Sequence, residues 1–153
     1  MKLLHVQSQE LLNLMCKEVS DSNIERKKKG CVYTAIFRSI EKGNFEFIFG
    51  LVKENPDLLW SRRGDSSSIF SWAVLHRQEK IFSLIYGLPV KRSMTTWVNQ
   101  KGNIILHMAG MIGSSILLNQ IPGAALQMQR ELQWFKVISR ISNFFSFTLT
   151  IKC

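Results

Sequence analysis

The sequence contains few cysteines, no long apolar run and few acidic residues. Its three cysteines, Cys16, Cys31 and Cys153, are too few and too scattered for a disulfide scaffold. An odd number of cysteines without a secretion signal indicates a reducing compartment. The longest uncharged stretch, residues 102–129, contains His107, a proline and several amides, so it is not the apolar run of roughly 20 residues that a membrane span needs. These absences predict a cytoplasmic or nuclear chain.

Acidic residues are scarcest in the second half of the chain. The 153 residues are 46% apolar and 20% charged, which is typical of a globular domain, and the length fits one domain. The net charge is +9, of which residues 1–80 carry +3 and residues 81–153 carry +6, with Glu131 as the only acid in the second segment. This bias suits contact with nucleic acid or an anionic surface, and it equally fits a fragment whose acidic complement lies elsewhere.

A regular spacing of helical segments begins at Tyr33. Placing Ser39, Ala73 and Ala109 in register aligns three segments at spacings of 34 and 36 residues. The segments are residues 34–52, 68–88 and 103–118. Each divides into two short helices with apolar residues at helical spacing. A helix–turn–helix period near 33 residues, with turn-forming residues between the units, is the ankyrin pattern.

The turns within these units differ in composition. Gly43 lies between the two helices of the first unit, where a tight turn favours a residue that tolerates positive φ. Arg77 occupies the same place in the second unit, so that turn must be built without glycine. The third unit keeps the ankyrin signature at Leu106, His107 and Ala109. We therefore predict an all-α ankyrin-repeat solenoid of about three repeats, flanked by N- and C-terminal helices.

The two ends of the chain have different patterns. Residues 3–19 form an amphipathic helical stripe, and a basic polar segment follows it. A second helix is predicted over 123–141, with its apolar stripe at Ala125, Met128, Leu132, Phe135, Ile138 and Ile141. In the tail after it, apolar and polar residues alternate, which is typical of a strand. The predicted organisation is an N-terminal helix and linker, ankyrin repeats, an amphipathic helix and an irregular tail, over residues 1–30, 31–120, 121–141 and 142–153.

Residues for catalysis or metal binding are not arranged in a recognisable set. The chain has only three histidines, of which His107 belongs to the repeat signature and His76 lies at a turn exposed to solvent. Neither Cys16 nor Cys31 has a partner at metal-ligand spacing, and there is no phosphate-binding loop. Cys16 lies on an apolar stripe and is predicted to be buried. The sequence therefore predicts a protein that is not an enzyme and has no cofactor, no metal and no small-molecule substrate.

A few aromatic and basic residues fall in the loops between units. In an ankyrin stack these loops and the first helices form the concave side, where protein partners bind. Aromatic and arginine side chains are favoured anchors of protein interfaces. The predicted partner-binding residues are Trp60, Arg62, Arg63, Trp97 and Lys101.

Four segments resemble a particular family of ankyrin proteins. They are NPDLLWS, SIFSWAVLHRQEKIFSLIY, GNIILHMAG and GAALQMQRELQWFK, at residues 55–61, 68–86, 102–110 and 123–136. These are similar to plant ankyrin-repeat proteins that carry a C-terminal PGG membrane domain, the group related to accelerated-cell-death and salt-tolerance proteins. The resemblance covers roughly residues 1–140 and departs near Val137, before the membrane region.

The resemblance implies a function in protein interaction. Members of this family join a cytosolic ankyrin stack to transmembrane helices and act in stress and defence signalling, often at the plasma membrane. By this resemblance the chain is a truncated member with the interaction module and without the membrane domain. The alternatives are a basic protein that binds nucleic acid or an anionic surface, and a truncated fragment without function.

Overall fold

The structure is a computed structural model of the chain. It describes residues 10–11, 13–19, 32–87, 97–111 and 123–150, with side chains described as far as residue 143. Within these ranges the chain is helical and contains no strand, and the only β pairing is a bridge between Arg62 and Ser68. The all-α class predicted from the sequence is confirmed.

Seven helices make up the described fold. They are α1 (13–19, with residues 10–11 also helical), α2 (Val32–Lys42), α3 (Phe45–Glu54), α4 (Ile69–Leu75), α5 (Glu79–Ser83), α6 (Ile105–Gly110) and α7 (Ala124–Thr150). Short 3₁₀ segments lie at Pro56–Trp60 and Leu84–Gly87. The predicted start of the first helix, the basic linker and the second helix of the third unit lie outside the described residues.

The first unit is a helix–turn–helix that reverses at Gly43. Helix α2 ends there with a φ of +71°, which confirms the predicted need for glycine. The Gly43 N–H donates to Ile40 O at 3.0 Å, and the Asn44 N–H donates to Ser39 O at 2.9 Å. This pair of bonds satisfies the last carbonyls of α2. The Asn44 side chain then accepts from the Phe47 N–H and caps α3.

The second unit reverses in the same way, with arginine in place of glycine. Arg77 has a φ of +57°, its N–H donates to Val74 O at 3.2 Å, and the Gln78 N–H donates to Ala73 O at 2.8 Å. The hydrogen-bond pattern of the first turn therefore recurs 34 residues later. A left-handed backbone costs a residue with a Cβ about 1–2 kcal/mol. The turn must recover this free energy through other contacts.

The Arg77 side chain supplies these contacts. One terminal nitrogen, Nη1, donates to Val74 O at 3.0 Å, and the other, Nη2, donates to Met111 O at 2.7 Å. Nε and Nη2 both donate to the Glu131 carboxylate, with Nε lying 3.1 Å from each oxygen. The Arg77 side chain is only 12% exposed. One residue therefore connects α4, the end of α6 and α7, and its charge is paired where solvent is largely excluded.

The core runs through all the described units. Helix α4 packs against α2, α5 and α6, and α6 packs against α7. Ala73 and Ala109, at the register positions, are fully buried. Trp134 anchors α7 by donating from Nε1 to Val74 O at 3.1 Å and by an edge contact with the ring of Phe82. The other buried apolar residues include Ile36, Ile40, Ile48, Leu51, Ile69, Phe70, Val74, Ile81, Ile85 and Ile105.

Helix α7 differs from its prediction in both face and length. Ile138, from the predicted stripe, is buried, but Met128 and Leu132 are 74% and 50% exposed, and the buried Trp134 was not in the predicted stripe. The predicted positions average fewer than 3.6 residues per turn, so they wind around the helix instead of staying on one face. The strand pattern after residue 141 is also wrong, because the helix continues to Thr150. A strand there would need a partner, which the helical units do not provide.

No helix among the described residues combines the length and the apolarity that crossing a bilayer requires.

Replacing Gly43 tests the first turn. Gly43→Ala is expected to lower the free energy of unfolding by about 1–2 kcal/mol because of its positive φ. In addition, a Cβ at this position would lie 2.8 Å from the Gln78 Oε1. Gly64→Ala is the matched control, since a Cβ there meets nothing within 4 Å. Urea unfolding followed by circular dichroism measures both variants, and an equal loss in the two would contradict this role of Gly43.

Two substitutions at Arg77 distinguish the effect of its backbone strain on stability from the effect of its side-chain contacts. Arg77→Ala is expected to lower the free energy of unfolding by about 1–3 kcal/mol, because it removes the hydrogen bonds of the guanidinium, while Glu131, whose side chain is 35% exposed, becomes solvated. Arg77→Gly removes the same guanidinium but relieves the left-handed strain, so it should be more stable than the alanine variant by about 1 kcal/mol. Urea unfolding gives both values. A glycine variant as stable as the original protein would show that the guanidinium contributes no more than the backbone strain that glycine relieves.

Candidate functional site

A short hairpin turn over residues 62–68 forms one side of the candidate site. The chain enters it from the 3₁₀ segment that begins at Pro56 and buries Leu58 and Leu59. Arg62 and Ser68 pair as an antiparallel bridge, and the Ser68 hydroxyl caps α4 by accepting from the Ser71 N–H at 3.1 Å. The cap and the bridge together fix where the turn leaves the helices.

The interior of this first turn is closed by local hydrogen bonds. The Arg63 N–H donates to Ser67 O at 2.9 Å, and the Ser66 N–H donates to Arg63 O at 2.8 Å. The Asp65 carboxylate accepts from the Ser67 N–H at 2.9 Å, an Asx turn. Ser66 has a φ of +64°. The residue types Gly, Asp and Ser therefore produce the turn, as the sequence indicates.

A second turn over residues 99–103 repeats this geometry 36 residues later. The Asn99 N–H donates to Asn103 O at 3.0 Å, the Gly102 N–H donates to Asn99 O at 3.0 Å, and Gly102 has a φ of +77°. Gln100 ties the two turns together by donating from its backbone N–H to Asp65 O at 3.1 Å and from its side chain to Gly64 O at 3.0 Å. The two turns therefore form one connected surface.

Three of the predicted partner-binding residues meet on this surface. The rings of Trp60 and Trp97 make an edge contact with centroids 5.9 Å apart. The Arg62 guanidinium carbon lies 4.3 Å from the centroid of the Trp97 ring. Both tryptophans are half-buried, and Arg62 is exposed. We call these three residues the Trp60–Arg62–Trp97 cluster. A cation over an indole ring is a favourable contact that restricts the side chain.

Arg63 lies on a different tryptophan. Its guanidinium carbon is 4.2 Å from the centroid of the Trp72 ring, and one of its nitrogens lies 3.6 Å from the Asp65 carboxylate. Trp72, in α4, is buried and also contacts the ring of Phe37 edge-on and the ring of His76. Arg62 and Arg63, predicted together as partner-binding residues, therefore lie on different tryptophan rings.

The fifth predicted residue, Lys101, is separate from both arginine–tryptophan contacts. It is exposed in the second turn, where its backbone N–H donates to the Asn99 side chain at 2.9 Å. Among the described side chains, it makes no ion pair or ring contact with Trp60, Arg62 or Trp97. The structure therefore brings together three of the five predicted residues, places Arg63 beside them and leaves Lys101 at the edge.

A pocket of about 410 Å³ lies between the first turn and α2. Its walls are Tyr33, Thr34, Phe37, Arg38, Glu41, Arg62, Arg63 and Gly64. The five residues contributed by α2 were not among the predicted partner-binding residues. The spacing of Thr34, Arg38 and Glu41 at i, i+4 and i+7 was an available signal, because such residues share one helical face. The position of the turn against α2 was not visible in that spacing.

His76 packs against Trp72, with the centroids of the two rings 4.9 Å apart. His76 was predicted to be solvated, but it is half-buried, and its Nε2 has no hydrogen-bond partner among the described residues. Burial lowers the pKa of His76, and the positive charges of Arg63 and Arg77 lower it further, while the negative charge of Glu41 partly opposes them. Burial and the two arginines therefore favour the neutral form of the histidine.

Residues that bear other chemistry are dispersed within the described ranges. No group of three His, Cys, Asp or Glu side chains lies close enough there to hold a metal ion. Cys16 is 2% exposed, which confirms its predicted place in the core, and burial raises the pKa of its thiol. His107 accepts from the Ile104 N–H at 3.3 Å, at the start of α6.

Comparisons with protein-family models, with curated proteins and with solved structures each gave no match.

The lowered pKa of His76 predicts a pH-dependent stability. Because the unfolded chain binds a proton at the ordinary histidine pKa near 6.5 and the folded chain does so only at lower pH, the free energy of unfolding should fall as the pH drops below about 6.5. Urea unfolding across this range measures the slope. His76→Gln should reduce the slope, whereas the control His107→Gln leaves His76 in place. An unchanged slope in His76→Gln would refute the assignment.

Proposed function

We propose that the chain is a protein–protein interaction module built from ankyrin repeats. Two helix–turn–helix units with the same turn geometry 34 residues apart support this proposal, as do the two hairpin turns 36 residues apart. The resemblance to plant PGG-domain ankyrin proteins adds a setting in stress and defence signalling. The short helices, paired around turns and stacked on neighbours, agree with a repeat architecture.

The Trp60–Arg62–Trp97 cluster carries the proposal. It presents two indole rings and a guanidinium on adjacent turns that hydrogen bonds hold together. Tryptophan and arginine are the side chains most often found at the energetic centres of protein interfaces. Because contacts within the fold already restrict these three side chains, they lose less conformational entropy when a partner binds. Trp60, Arg62, Arg63, Trp97 and Lys101 are the proposed partner-contacting residues.

The proposed location of the module is the cytoplasm. Membrane residence in relatives of this type depends on their C-terminal membrane region. Catalysis and cofactor binding are not part of the proposal. Nucleic-acid binding is the competing function, and it rests on the net charge of +9. That function predicts affinity that falls steeply with salt.

The test compares three forms of the protein, each used as a bait, that differ only in a few surface side chains. The original protein, the double variant Arg62→Ala/Trp97→Ala and the control Lys136→Ala, on an exposed position of α7, are used in parallel quantitative affinity purifications from plant tissue. We expect a defined protein that the first and third baits retain and the double variant loses by about tenfold. Circular dichroism confirms that all three are folded. Equal retention by every bait, or retention only of nucleic acid, would refute the proposal.

A further inference from the structure

We propose that the pocket between α2 and the first turn binds a carboxylate side chain of an acidic peptide segment in the partner protein. This inference rests on the proposed interaction function and adds to it the chemistry of the ligand. The Trp60–Arg62–Trp97 cluster lies at one end of the pocket, since Arg62 belongs to both. A peptide that contacts the cluster therefore also reaches the pocket.

The charges around the pocket favour an anion. Three arginines line it, Arg38, Arg62 and Arg63, against one carboxylate, Glu41. Neither Arg38 nor Arg62 makes an ion pair in the part of the chain that the structure describes, and both are exposed. Arg63 is paired with the Asp65 carboxylate at 3.6 Å, so the charges that the described fold leaves unpaired at the pocket are those of Arg38 and Arg62. A carboxylate placed there would be attracted by all three guanidiniums.

The arginines are also held in place for this role. The faces of the Trp97 and Trp72 rings support the guanidiniums of Arg62 and Arg63, respectively. A guanidinium has five N–H donors in one plane and binds a carboxylate through two parallel hydrogen bonds. Contact of its face with a ring leaves these edge donors for a ligand. The two arginine side chains therefore lose less conformational entropy when a ligand binds than free side chains would.

Size and composition favour a peptide over a nucleic acid. The volume of about 410 Å³ suits one or two side chains. The aromatic rings of Tyr33 and Phe37 in its wall suit the apolar stem of a glutamate or a neighbouring apolar residue. Glu41 and Asp65 would repel the continuous phosphates of a nucleic-acid backbone, whereas a peptide with spaced carboxylates can avoid them.

The experiment measures peptide binding by fluorescence anisotropy with the full chain at about 150 mM salt. The probe is a labelled short peptide that alternates Glu with Leu and Ser, and its control replaces each Glu with Gln. A single-stranded oligonucleotide of equal charge is the third probe. We expect the acidic peptide to bind at least about tenfold more tightly than the amide peptide. Equal affinity for the two peptides, or tighter binding of the oligonucleotide, would overturn the proposal.

Matched variants locate the site. Arg62→Ala/Arg63→Ala should weaken the acidic peptide by about tenfold or more, and Arg38→Ala, at an exposed helix position, provides a second test if the double variant does not fold. Arg130→Ala/Arg140→Ala removes the same charge from exposed positions on α7 and should change the affinity less than about twofold. If both double variants lost the same affinity for the acidic peptide, binding would depend on net charge alone, and the proposed pocket site would be refuted.

A displacement experiment distinguishes this inference from the proposed function. It asks whether the acidic peptide displaces the partner that affinity purification identifies. If the acidic peptide displaces that partner, the inference is supported. If the partner depends on Arg62 and Trp97 but the acidic peptide does not displace it, the interaction function stands and the carboxylate pocket is refuted. If the acidic peptide binds and no variant-sensitive partner is captured, the pocket stands and the proposed function is refuted.

Discussion

The fold depends on one arginine in a conformation that favours glycine. Arg77 adopts a φ of +57° at the turn of the second unit, where the first unit has Gly43. Its guanidinium binds carbonyls at the end of α4 and after α6 and pairs with Glu131 of α7. The backbone strain and the side-chain contacts are coupled, because the left-handed conformation of Arg77 places its side chain between three helices. The stacking of the later units rests on this arrangement.

The binding surface depends on a similar use of turns. The first and second hairpin turns have the same internal hydrogen bonds, and Gln100 joins them through two further bonds to Gly64 and Asp65. This fixes the spacing between the tryptophans of the Trp60–Arg62–Trp97 cluster, while Ser68 fixes the first turn against α4. A surface built from loops is thus held by hydrogen bonds within and between the turns, which suits recognition without a large conformational change.

Much of the local structure could be predicted from the sequence, but its long-range contacts could not. Helical periodicity and the register of the units identified the helices and placed Gly43 and Arg77 at equivalent turns. The role of Arg77 was not predictable, because its partners lie 34 and 54 residues away. The buried face of α7 was predicted only in part for the same reason: contacts with Val74 and Arg77 orient this helix. In the candidate site, loop composition identified Arg62 and its tryptophans, whereas the α2 wall required the turn to be placed in space.

The separation between Arg77 and Glu131 also has a consequence during synthesis on the ribosome. At about 5–20 residues per second, the 54 residues between them take about 3–11 s to be translated. During that interval the nascent chain carries a guanidinium whose carboxylate does not yet exist. The indole that bonds Val74 O emerges later still, 60 residues after it. The first two units therefore leave the ribosome with an incomplete interface, and this is the period in which a chaperone has access to them.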